Sequence, residues 1–158
     1  MPIFYLDEET LQESVSGDVS NVESFLGTAY GHLLKWKHQS KLQTKSWITS
    51  ILLSSYQANE KIQKSSAKNH LNQINLNNIY KKGIKIYKHD TKTNNNPPDN
   101  SVKEDFDTLD KFLDLWTIIQ WLEKYSVYPG MVYQTIVELS NVPQELIDQY
   151  KDEYDDWD

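Results

Sequence analysis

The stretch HLLKWKHQSKLQTKSWITSI, residues 32–51, holds two tryptophans, four lysines and two histidines, and no acidic residue occurs from Ser24 to Asn59. It reads as the end of one helix and the start of the next. Upstream, Val22, Phe25, Leu26, Ala29, Tyr30, Leu33 and Leu34 recur at steps of three and four. That spacing predicts a helix over about 20–37, with Ser20 and Glu23 placed as a capping box at its start. Gly27 and Gly31 stand four apart on it, where the absent side chains leave room for another helix to approach. Downstream, Trp47, Ile48, Ile51, Leu52, Tyr56 and Ile62 form the apolar side of a second helix over about 44–64, so residues 38–43 connect the two.

Two readings of this turn stand side by side. In one, Trp36 and Trp47 close the core where the helices meet, and Lys35, Lys37, Lys41 and Lys45 form a solvated rim. In the other, the same lysines make an electrostatic platform, with Trp36, Trp47 or His38 exposed for stacking on a base as single-strand binders do. Lys35, Trp36, Lys37, His38, Lys41, Lys45 and Trp47 are therefore the candidate binding residues.

Further along, Leu76, Ile79, Tyr80, Gly83, Ile84 and Tyr87 form one stripe of a helix over about 66–88, with Lys81, Lys82, Lys85 and Lys88 opposite. The polar, proline-containing HDTKTNNNPPDN, residues 89–100, reads as a mobile loop. Ser101 and Glu104 offer a second capping box, and TLDKFLDLWTIIQWLEKY, residues 108–125, reads as a single amphipathic helix stopped by Tyr128-Pro129-Gly130. Two shorter helices are expected over about 131–140 and 143–156. No strand pattern competes. The expected fold is all-α: one domain over 1–158, a small bundle of about five to six helices, divided into a basic helical middle (20–88), the loop (89–100) and an acidic helical region (101–158).

Charge is segregated along the same divisions. Residues 1–23 carry six acids and no lysine, 24–88 carry eleven lysines against Glu60 alone, and 89–158 carry five lysines against sixteen acids, within a net charge of −7. Either the basic middle contacts a polyanion, or the acidic ends fold back and neutralise it. All sixteen cations are lysines, so the bidentate guanidinium fork that reads guanine edges is absent.

The chain has no cysteine, which removes disulfides, thiolate catalysis and cysteine metal sites and suits a reducing compartment. No stretch approaches the roughly 18 apolar residues of a membrane span, so no membrane contact is expected and the cytoplasm is the expected location. Phosphate-loop, dinucleotide, zinc-protease and nucleophile-elbow motifs are missing. The histidines lack the i, i+4 spacing of a helical metal site. Asp105, Asp107, Asp110 and Asp114 lack the glycine turn of a calcium loop. No catalytic residue, metal or cofactor is expected. The acidic C-terminal segment would repel phosphates if it were read as a DNA-reading helix.

HLLKWKHQ followed by Ser46-Trp47 resembles the signature of the bacterial family called domain of unknown function twenty-nine. The matching positions are His32, Leu33, Leu34, Lys35, Trp36, Gln39, Ser46 and Trp47, and the resemblance covers about residues 20–90. It implies a small all-helical fold and no established activity. The short acidic leader and the C-terminal region depart from the family's pattern. The resulting expectation is a small soluble interaction or regulatory protein that acts through a protein partner, for example one member of a toxin–antitoxin-like or phage-conflict pair. The alternative is a nucleic-acid-associated protein using the lysine-rich middle, or an acidic inhibitor that mimics nucleic acid.

Overall fold

The computed structural model describes residues 8–64 and 71–139, together with Gln144, Glu145 and Asp148. Among the described residues it contains seven α-helices and no strand: α1 (Glu8–His38), α2 (Lys45–Lys64), α3 (Leu76–Asp90), α4 (Ser101–Asp105), α5 (Leu109–Leu113), α6 (Leu115–Lys124) and α7 (Met131–Glu138), with a 3-10 turn at Ser40–Leu42 between the first two. Helix α1 is the spine. It packs against α2 and α3, and α2 in turn carries α5, α6 and α7. The apolar stripe of α1 is buried as its spacing requires, from Val22 through Leu26, Tyr30, Leu33 and Leu34 to Trp36.

Helix α1 begins at Glu8, well before the capping box read at Ser20. Ser20 is an exposed helical residue, and Glu23 serves a different helix. Its carboxylate accepts the Asn75 backbone N–H at 2.7 Å and the Asn78 side-chain amide at 3.2 Å. An acid is favoured beside the unsatisfied N–H groups of a helix start, and here it braces α3 from outside. Helix α3 itself starts at Leu76 rather than near 66, because the Asn75 side chain caps it by accepting the Asn77 N–H at 2.9 Å. It also runs to Asp90, two residues into the segment read as loop.

Gly27 and Gly31 sit where α3 crosses α1, and Gly83 faces back. A Cβ on Gly83 would lie 2.3 Å from Tyr30 Cδ1 and 2.9 Å from Gly31 N. Three glycines thus set the approach of these two helices.

The single helix read over 108–125 is two short helices, α5 and α6. Thr108, before α5, and Asp114, between the two, are both extended. The Asp114 carboxylate accepts the Trp116 N–H at 3.1 Å and the Thr117 hydroxyl at 2.8 Å, so it starts a new helix instead of continuing the old one. With the break, Ile118 and Trp121 lie in the core beside Phe112, Ile119 and Leu122. Trp121 Nε1 then donates to Asp105 at 2.9 Å, tying α6 back to α4. The second capping box is likewise replaced: Asp99 Oδ1 accepts the Ser101 N–H at 2.9 Å. Gly130 precedes α7 at φ 89°, a left-handed conformation that glycine adopts without steric cost. Most of the helix expected over 143–156 lies outside the described residues. No described helix is long and apolar enough to cross a membrane.

Candidate functional site

The turn from α1 to α2 is held by side chains that reach the C-terminal half of the chain. Trp36 has no exposed surface, and its indole Nε1 donates to the Leu122 carbonyl at 3.0 Å. The Gln43 amide donates to the Trp36 and Tyr125 carbonyls, both at 2.8 Å, and its oxygen accepts the Val127 N–H at 2.9 Å. Both ends of one glutamine side chain therefore join α1 to the segment after α6. Buried carbonyls paired in this way avoid the cost of an unmet acceptor.

Lys35 is not on a solvated rim. It is only 6% exposed, its Nζ donates to Asp90 Oδ2 at 2.8 Å, and the same ammonium lies 4.9 Å from the Trp47 ring centroid. The half-buried Trp47 packs against the core from one side of this pair. Asp90 closes α3, where the helix dipole disfavours a negative charge, so the adjacent Lys35 and His89 supply the compensation. Burial pushes the Asp90 carboxyl up, but its hydrogen bonds from Lys35 and His89 outweigh that and hold it below the usual carboxylate range.

The other candidates are spread around the turn. Lys37 donates to the Ser101 hydroxyl at 2.6 Å and lies 4.5 Å from the Tyr125 ring centroid. His38 is half-buried, and its enclosed Nε2 has no hydrogen-bond partner among the described residues, lying 3.8 Å from Asp99 Oδ1. Lys41 is exposed, and Lys45 meets Glu138 at 3.7 Å on the surface. The structure thus brings together Lys35 and Trp47, and does not join them with Lys41 or Lys45 into one platform. Asp90 belongs with them and was missed. The sequence does carry a signal for it, since it is the lone acid between Glu60 and Asp99.

Lys35, Gln39, Leu42, Trp47, Asp90, Thr91 and Lys92 line a pocket of about 310 Å³. Three of these, Lys35, Gln39 and Trp47, are signature positions. Leu42 is 60% exposed at its rim. Lys92 is the one non-glycine residue with positive φ among the described residues, at 53°. A wider groove of about 600 Å³ lies near the start of α3, but its Asp107 is bound to Lys111 at 2.7 Å and its Lys103 lies over Tyr80. Among the described residues, no group of three or more acids and histidines could hold a metal ion.

The Lys35–Asp90 pair should respond asymmetrically to mutation. Asp90→Ala strands a buried ammonium and is expected to cost about 1–3 kcal/mol. Lys35→Met places an apolar chain in the same channel and leaves Asp90, about one-third exposed, to water and His89, so it should cost about 1 kcal/mol or less. Urea unfolding of both variants measures the difference, and the reverse order would contradict the assignment of the lysine as the buried partner.

Burial holds the His32 and His38 imidazoles below their ordinary value. The Thr28 carbonyl and Asp90 oppose this at His32 while Lys35 adds to it; at His38, Asp99 opposes and Lys37 adds. A depressed folded-state value means the unfolded chain binds protons that the folded chain refuses. The stability this contributes is present above about pH 6.5 and is lost as pH falls below it. The depressed Asp90 adds a further loss in and below the carboxylate range. The melting temperature is therefore expected to fall as pH drops from 6.5 to 5, and by less in His38→Gln. A melting temperature unchanged over that interval would contradict the burial of both rings.

No curated protein and no solved structure matches the chain. One family does: its model matches residues 6–114, extending beyond the signature segment at both ends. The match ends before α6, so the carbonyls that receive Trp36 and Gln43 come from outside the matched region. With more than half of its length matched, the chain belongs to the family described as Domain of unknown function DUF29.

Proposed function

We propose that this protein is a cytoplasmic, non-catalytic helical module that works by binding a protein partner through the end of the bundle where α1 turns into α2, as in paired regulatory systems. The observation that carries this reading is the exposure of Leu42, Val127 and Tyr128 about one rigid turn. Gln43 follows Leu42 directly and bonds the Val127 N–H, so these apolar groups stand on a fixed backbone. Exposed apolar groups gathered about a rigid turn suit partner recognition better than isolated surface leucines do. The test is affinity capture with tagged full-length protein and with a Leu42→Glu/Tyr128→Ser variant, each with and without nuclease. A stoichiometric protein lost with the variant and indifferent to nuclease supports the reading. Identical recovery by both forms counts against it.

A second reading has its own observation. Lys35, Lys45, Lys61 and Lys64 each meet a carboxylate, and Lys37 and Lys82 meet hydroxyls. Lys81, Lys85 and Lys88, on one face of α3, have no such partner among the described residues. If the lysine-rich middle binds a nucleic acid, this face is the place. Anisotropy with labelled oligonucleotides would then show steeply salt-dependent binding that is lost in a triple Lys→Glu variant of these positions.

A further inference from the structure

The unused hydrogen-bonding capacity of Lys35 raises the question of what else its ammonium meets. It has three N–H donors, and among the described residues its single acceptor is Asp90 Oδ2. The ammonium can therefore take a further acceptor, and Lys35 forms part of the wall of the 310 Å³ pocket. Lys92 stands at the same pocket in a left-handed conformation that a lysine rarely takes. Asp90 does not block an incoming anion, since Oδ2 is engaged by Lys35 at 2.8 Å and Oδ1 faces His89 Nδ1 at 3.2 Å. Two lysines against one aspartate leave a single positive charge, which suits a monoanion rather than a phosphate dianion. Of the remaining walls Leu42 and Trp47 are apolar, whereas Gln39 and Thr91 are polar, the Thr91 hydroxyl donating to the Tyr87 carbonyl. The volume is at the low end of the roughly 300–1,000 Å³ of ligand pockets, room for one residue of a peptide.

We propose that this pocket binds the free C-terminal carboxylate of a partner polypeptide whose last residue is apolar, the carboxylate lying between Lys35 and Lys92 and the side chain against Trp47 and Leu42. This rests on the protein-partner reading and names the chemistry of the partner. Capture of a chain terminus by fixed donors beside an apolar slot is a recurring mode of peptide recognition.

The test uses full-length protein, calorimetric titration, and three probes: acetyl-Leu-Phe with a free carboxylate, the same dipeptide as its C-terminal amide, and phenylacetate. Lys92→Gln and Leu42→Ser serve as variants, because both side chains are at the surface and neither supports the core. The acid is expected to bind, with the amide at least about tenfold weaker, the loss that follows removal of a charge-assisted hydrogen bond. Lys92→Gln and Leu42→Ser should each weaken the acid severalfold, and phenylacetate should bind more weakly than the dipeptide. Equal affinity for acid and amide, no binding of the acid at millimolar concentration, or unchanged affinity in both variants would each overturn the proposal. Phenylacetate binding as tightly as the dipeptide would also overturn it, by making the site one for small carboxylic acids. A partner captured through the turn but not displaced by the dipeptide acid would remove the terminal-carboxylate assignment and leave the protein-partner reading standing.

Discussion

Trp36→Ala is expected to lower stability by about 3–5 kcal/mol, the usual cost of deleting a large buried aromatic side chain. The indole is fully enclosed, and it belongs to the cluster that includes Leu33, Ile119 and Leu122. Its removal opens a cavity and also leaves the Leu122 carbonyl without its donor. Domains of this size are stable by only about 5–15 kcal/mol, so the variant should melt far below the wild type or fail to fold. Trp36→Phe separates the two contributions. It keeps most of the apolar packing and loses the Nε1 donor, so about 1–3 kcal/mol should be lost. Thermal and urea unfolding of both variants provide the comparison. A Trp36→Ala protein as stable as the wild type would return this residue to the surface and revive the stacking platform.

Gly83→Ala tests the crossing of α1 and α3 through the sign of its effect. In an ordinary helix interior, glycine to alanine stabilises by up to about 1 kcal/mol. At Gly83 the new methyl would meet the Tyr30 ring and the Gly31 backbone nitrogen at distances real Cβ atoms do not show. Backbone cannot yield as a flexible side chain can, so the helices must separate, at an overpacking cost of about 1–3 kcal/mol or more. The expected net result is destabilisation. Gly17→Ala is the control, because nothing lies within 4 Å of its added Cβ on the same helix α1. It should stabilise by about 1 kcal/mol or less. Opposite signs at the two glycines support the close approach, whereas stabilisation at both would contradict it.

The helices legible in the sequence are those whose apolar stripes run unbroken, namely the second half of α1, α2 and α3. There a period of 3.6 residues leaves no other way to bury the face. The first half of α1 was missed although Leu11, Val15, Val19 and Val22 recur at steps of three and four, because Ser20 and Glu23 were read as a capping box that starts the helix. The break at Asp114 was hidden because the stripe continues through it and only the aspartate side chain, by capping, changes the register. At the candidate site Lys35, Gln39 and Trp47 are signature positions that the fold brings to one pocket. What it could not supply was Asp90, which sits 55 positions away in a stretch of loop-like composition. Without that carboxylate a lysine among lysines reads as solvated. Lys37 was misread in the same way, its partner Ser101 being 64 positions distant.

The central claim is that the signature tryptophan is a core residue locked to α6, so that recognition falls to the pocket and rim around it rather than to an exposed indole. Hydrogen exchange of the Trp36 indole proton in full-length protein, assigned by comparison with Trp36→Phe, tests this most directly. A proton enclosed and bonded to the Leu122 carbonyl should exchange only through large-scale opening and persist beside the slowest backbone amides of the core. Exchange as fast as that of a solvent-exposed indole would contradict the claim.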